Sequence, residues 1–118
     1  MLLREDIVRL RHMLDAARDG VGFLAGRKRT DLDSDRMLSF AVVRAIEIVG
    51  EAAGKVSPQA RAAAPNIPWA DVTAMRNRLI HAYHEVDLSR VWDTVTDDLP
   101  TLICELERVL ASEGDKSG

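Results

Sequence analysis

The chain has 118 residues, 47% hydrophobic and 30% charged, which suits one folded domain and argues against a disordered or membrane-embedded chain. Its formal net charge of -3 leaves no bulk basic footprint for nucleic acid, so any RNA site has to be local. No apolar run approaches the roughly 20 residues that span a bilayer, and the start, Met1-Leu2-Leu3-Arg4-Glu5-Asp6, lacks the order of a signal peptide. A cytoplasmic protein with no membrane partner is expected.

Leu3, Ile7, Leu10 and Leu14 recur at spacings of three and four among charged residues, predicting an amphipathic helix to about Leu24. Gly20 and Gly22 should weaken its last turns. Gly26 to Thr30 reads as a connection, and its basic run Arg27-Lys28-Arg29, followed by Asp31, Asp33 and Asp35, fits a solvated loop. A second helix is predicted from Asp31–Asp35 to about Ala53, with Thr30 or Ser34 as cap and Gly54 as stop. Ser57-Pro58 predicts a cap and first-turn proline opening a short helix that Pro65 ends.

Pro68 opens the next predicted helix, in which Val72, Met75, Leu79 and Tyr83 form an apolar stripe. A last helix is predicted from about Leu88 to Ser112, with Val91, Trp92, Val95, Leu99, Leu102, Ile103, Leu106 and Val109 facing inward. Pro100 cannot donate to the carbonyl of Thr96, so a kink is expected there. Cys104, the single cysteine, sits among apolar neighbours and is expected to be small and buried rather than a catalytic thiol. No segment alternates like a strand. The expected fold is all-α, an antiparallel four-helix bundle with a short additional helix over residues 1–112, followed by a polar tail over 113–118.

The stretch Met75-Arg76-Asn77-Arg78-Leu79-Ile80-His81-Ala82-Tyr83-His84 concentrates the polar chemistry. On a straight helix Arg76 and Tyr83 lie about 20° apart, whereas Arg76 and His81 lie about 140° apart. A two-fold partner would bring a second copy of the pair to one point, which suggests a composite site in a homodimer. A guanidinium can hold a phosphate and stabilise charge added in the transition state, and an imidazole titrates near neutrality and can move a proton. Asn77 could orient His81 or the phosphate. Together these types suit metal-free RNA cleavage by the substrate's own 2′-hydroxyl, with no cofactor.

The same residues also fit plainer roles: Arg76 and His81 as solvated side chains, Tyr83 as a core residue with a bonded hydroxyl, His12 and His84 as surface groups. His81, His84 and Glu85 lack a third ligand at zinc spacing, so no metal site is expected.

A wider set of residues is more specific than the Arg-x4-His core. Ala45-Ile46-Glu47-Ile48-Val49-Gly50-Glu51-Ala52-Ala53, then Ile67-Pro68-Trp69, the motif from Met75 to Tyr83, Val86-Asp87, Val91-Trp92 and Asp98-Leu99-Pro100 occur in this order. In them the chain resembles the HepT-like branch of the HEPN superfamily. The resemblance implies a HEPN-like bundle that dimerises and an RNase toxin whose Arg-x4-His-x-Tyr motif is met by Arg76, His81 and Tyr83. It also implies a type VII-like pairing with a small MNT-type nucleotidyltransferase antitoxin, which transfers AMP to the motif tyrosine, here Tyr83. Glu47 and Glu51 could pair with Arg76 or with an arginine of the partner, or simply face solvent. The reading from a different class is a non-catalytic helical module that binds and regulates a nucleotidyltransferase.

Overall fold

A computed structural model describes residues 2–79 and 85–117. Its first helix, α1 (Arg4–Leu24), packs along both α3 (Arg36–Gly54) and α7 (Leu99–Ser117). The short α2 (Asp31–Ser34) precedes α3, α4 (Pro58–Ala63) and α5 (Trp69–Ala74) follow it, and α6 (Leu88–Asp93) leads into α7. The all-α class is as expected, and no strand ladder is found among the described residues.

Each long helix buries a stripe at three- and four-residue spacing. Leu10, Met13, Leu14 and Ala17 come from α1, Val42, Ile46, Val49 and Ala53 from α3, and Leu99, Leu102 and Leu106 from α7. Each large side chain contributes on the order of 1.5–3 kcal/mol on leaving water, so this three-way seam sets the frame on which the shorter elements sit. The stripe on α1 begins later than expected: Leu3 is exposed, and buried Asp6 takes the first inward position. Gly20 does not end α1. A Cβ there would stand 3.1 Å from Leu99 Cδ1, close enough that the Leu99 side chain would have to give, so the absence of a side chain eases the approach of α1 to α7, while Ala45 Cβ at 3.6 Å would be an ordinary contact. The chain turns after α1 at Gly26, whose φ of 73° is the left-handed region that glycine enters without strain.

The predicted second helix is divided. Asp35 has φ -116° and ψ 97°, outside the helical region, and its side chain accepts the N–H of Leu38, so it ends α2 and caps α3. Neither Thr30 nor Ser34 fills the expected role, since Thr30 makes no side-chain cap. At α4 the expectation holds: Ser57 Oγ accepts from Ala60 N at 3.2 Å and Pro58 occupies the first turn. The basic loop is neutralised locally, with Arg29 on Asp33 at 3.1 Å and Arg27 near Asp35 at 3.8 Å.

The last helical run carries the disturbance expected at Pro100, in the form of a widened turn. Leu99 N–H donates to Thr94 O, a five-residue closure, over Thr94–Asp98. Beyond it α7 continues to Ser117, past the expected end at Ser112. Cys104 is exposed, contrary to expectation. It lies two residues from buried Leu102 and Leu106, about 200° around the helix from each, and so faces away from the core. No described helix is long and apolar enough to cross a membrane.

Asp6 ties α1 to the start of α4. Although only 4% exposed, its carboxylate accepts the N–H of Ser57 at 2.9 Å and the Ser57 hydroxyl at 2.7 Å. Removing it strands two donors at a partly buried helix start, so Asp6→Ala is expected to lower unfolding free energy by about 2–3 kcal/mol. The check is urea unfolding beside Asp15→Ala on the exposed side of α1, which should change stability by no more than about 0.5 kcal/mol.

Candidate functional site

The candidate site is reached through α5, which is fixed at both its start and its flank. Trp69 Nε1 donates to Ala64 O at 3.0 Å, and the Arg61 guanidinium lies 5.6 Å from the centre of the Trp69 ring. The same guanidinium donates from Nη2 to Ala53 O at 2.9 Å, which also accepts Val56 N–H, and from Nε to Val56 O at 3.2 Å, so it ties the C-terminal end of α3 to the turn that follows it. Along its flank α5 passes close to α3: a Cβ on Gly50 would stand 3.5 Å from Val72 O. One turn back along α3 and one turn onward past α5, this approach brings Glu47 to Arg76.

Arg76 Nε donates to Glu47 Oε2 at 2.9 Å. The arginine side chain is 54% exposed and the glutamate 24%. A partly exposed pair of this kind is worth on the order of 0.2–1 kcal/mol, so it holds the guanidinium in place more than it holds the fold together. The contact uses Nε, so the outer Nη edge can meet an anion. Glu51 is turned elsewhere, to Arg44 at 3.3 Å. Of the two glutamates that could pair with Arg76, Glu47 is therefore the neighbour that positions it. Its place in the Glu47–Glu51 segment, one turn before Gly50, was the available signal.

The straight motif helix is corrected by the structure. α5 ends at Ala74, Arg76 follows it, and Asn77–Leu79 form a tighter 3₁₀ turn, with Leu79 N bonded to Arg76 O at 3.1 Å. Val72, Met75 and Leu79 are buried all the same. The carbonyl of Leu79 accepts from Asp87 N at 2.6 Å, which joins the end of this turn to the chain just before α6. Asn77 is exposed at the start of the 3₁₀ turn, one residue from Arg76. His81 and Tyr83, the proposed proton-transfer and modification residues, lie outside the described residues, as does His84. The angular argument for a dimer loses its premise with the straight helix.

An apolar surface adjoins the Arg76–Glu47 pair. Met37 is 83% exposed and Phe40 63%, with Arg36 stacked 5.1 Å from the Phe40 ring centre. Phe40, Val43, Glu47, Val86 and Leu88 line a shallow groove of about 330 Å³. Among the described residues no three His, Cys, Asp or Glu side chains are placed to hold a metal ion.

The model of the family described as "Ribonuclease HepT-like" matches residues 13–109, a span that contains α3, α5, Arg76 and the motif through Tyr83. The chain belongs to the HepT-like ribonuclease family. Among its relatives is a Methanocaldococcus jannaschii protein provisionally named an RNase, 34% identical over 97 residues that cover 82% of this chain and 89% of that protein. A Thermococcus cleftensis protein named "Probable ribonuclease HepT" is 40% identical over 79 residues, 67% of this chain and 72% of its own length. A Caldanaerobacter subterraneus protein, also provisionally named an RNase, is 30% identical over 104 residues, covering 88% and 93%. No solved structure matches. A helical HEPN-like architecture and a nuclease family thus agree with the reading from the motif.

Proposed function

We propose that this HepT-like chain is a metal-independent RNA endonuclease, the toxin of a type VII-like pair, acting as a homodimer and controlled by an MNT-type nucleotidyltransferase. The observation that carries the reading is an exposed guanidinium, Arg76, held by Glu47 at the head of the Arg76-x4-His81-x-Tyr83 motif inside the family match. In the proposed reaction the 2′-oxygen of a ribose attacks the adjacent phosphorus and the bond to the 5′-oxygen breaks, leaving a 2′,3′-cyclic phosphate and a 5′-hydroxyl. His81 moves the proton, either from the 2′-hydroxyl or to the departing 5′-oxygen. Arg76 meets the non-bridging oxygens as their charge grows, through the Nη edge that Glu47 does not use. Asn77, next to it, supports the phosphate or the imidazole. The exposed face of Met37 and Phe40, which runs to Glu47, is the surface offered to a second copy, so pairing there would set two motifs beside one another.

Purified protein is expected to cut RNA in excess EDTA and to leave a 2′,3′-cyclic phosphate or its hydrolysis product, read by mass spectrometry of the fragments. Strict need for a divalent ion in the chemical step overturns the mechanism. Absence of cleavage by correctly folded protein on any RNA favours the regulatory module instead. Light scattering on the active sample tests the dimer, and a fully active monomer at micromolar concentration removes it.

A further inference from the structure

A second concavity lies between α5 and the turn that joins α6 to α7; Met75 and Arg78 line it, but Arg76 and Glu47 do not. It has a volume of about 460 Å³ and an apolar floor of Val72, Met75 and Leu102. Its charged lining is mostly acidic. Asp71 is paired with Arg78 at 2.8 Å, and Glu105 is bonded by Arg108. Asp93, Asp97 and Asp98 have no ion-pair partner among the described residues, and the one cation on the lining left over is Arg90.

The independent feature is Thr94, which opens the widened turn and lies on the wall of this groove. It is 7% exposed, yet its hydroxyl has no hydrogen-bond partner among the described residues. No fully enclosed side-chain oxygen or nitrogen lacks a partner there, so the Thr94 hydroxyl keeps some exposure, and the groove is the opening that this residue lines. The widened turn places Thr94, Asp97 and Asp98 at positions one, four and five of a single five-residue element. The Asp98 carboxyl is held above its ordinary value, first by partial burial and then by Asp97, with Asp71 and Asp93 acting the same way and Arg78 opposing. Like charges crowded against a protein wall are relieved by an incoming cation.

We propose that this groove docks a basic segment of a partner polypeptide, seating an arginine or lysine stem on the Val72, Met75 and Leu102 floor with its charged head between Asp97 and Asp98. The Thr94 hydroxyl then accepts one N–H of that head. Long basic side chains combine an apolar stem with a charged tip, which is the combination that this floor and rim complement. The described lining offers no set of three ligands for a metal ion, and its carboxylates repel the phosphates of RNA. The groove is thus separate from the proposed path of the substrate, and its occupant carries the opposite charge.

The test is fluorescence anisotropy with the intact chain and a labelled peptide bearing arginine at every third position, titrated at low and at moderate salt. Saturable binding that weakens with salt is expected. Asp97→Asn with Asp98→Asn should weaken it about tenfold, as expected when close charge pairs across an interface are lost, and Thr94→Val should weaken it severalfold. Asp15→Asn, on the exposed side of α1, should leave it unchanged. Thermal melts of the variants confirm folding, and RNA cleavage by the Asp97/Asp98 variant should match that of the parent. Equal peptide binding by parent and double variant overturns the proposal. So does displacement of the peptide by micromolar spermidine, which would make a small polyamine the occupant. The binding readout needs no nuclease activity, so its failure is distinct from failure of the functional reading above.

Discussion

His81→Ala is expected to lower the single-turnover rate of RNA cleavage by about 10²–10⁴-fold, the usual worth of a positioned proton-transfer group. Affinity for RNA should change far less, since the imidazole acts on a proton that moves only in the transition state. Arg76→Ala should lower both rate and affinity, because one guanidinium serves the bound phosphate and the charge that grows on it. Arg76→Lys keeps the charge but loses the fork of donors, one of which, Nε, is already held by Glu47, so it should not restore the rate. Quenched reactions on a short labelled RNA, analysed with binding of a 2′-deoxy substitute at the cut position, separate the two effects. A His81→Ala protein that cuts within a few fold of the parent would remove this residue from the mechanism and leave the family match without its proton carrier.

Local chemistry explains which features could be read from residues alone. Ser57-Pro58 and Pro65 carry their own stop and start signals, and the stripes of α3 and α7 recur often enough to mark their buried faces. What escaped depends on partners distant in the chain. The Asp6 carboxylate looks like an ordinary acidic first-turn residue until Ser57, 51 positions away, closes on it. Gly20 resembles a weak point until the Leu99 side chain closes on it. The break after Ala74 is hidden because the spacing of Val72, Met75 and Leu79 reads as one continuous α-helix, and only the three-residue bond from Leu79 N to Arg76 O shows the tighter turn. The same holds for the candidate site. Arg76 and Asn77 stood out by their motif, and Glu47 and Glu51 were both possible partners of Arg76; the close pass of α5 over α3 is what selects Glu47.

Tyr83→Phe is expected to abolish AMP addition by the nucleotidyltransferase and thereby leave the ribonuclease active in its presence. In the proposed transfer the tyrosine oxygen attacks the α-phosphorus of ATP, the bond to the β-phosphate oxygen breaks, pyrophosphate departs and the phenolic proton is lost. The product carries a bulky anionic group two residues from His81 and seven from Arg76. A phosphate tethered there competes with RNA for the free Nη edge of Arg76 and repels the phosphates of an incoming strand. Removing the oxygen while keeping the ring separates regulation from packing, since the phenyl group preserves most of the buried area of a tyrosine. Intact-mass measurement after incubation with the nucleotidyltransferase and ATP reads the modification directly, and cleavage of the labelled RNA before and after incubation reads its consequence. Parent protein should gain the mass of one or more AMP groups and lose activity, whereas Tyr83→Phe should show neither change. Equal AMP addition to both proteins places the modified oxygen elsewhere. AMP addition to the parent with no loss of cleavage would mean that the tyrosine is modified but does not control the site.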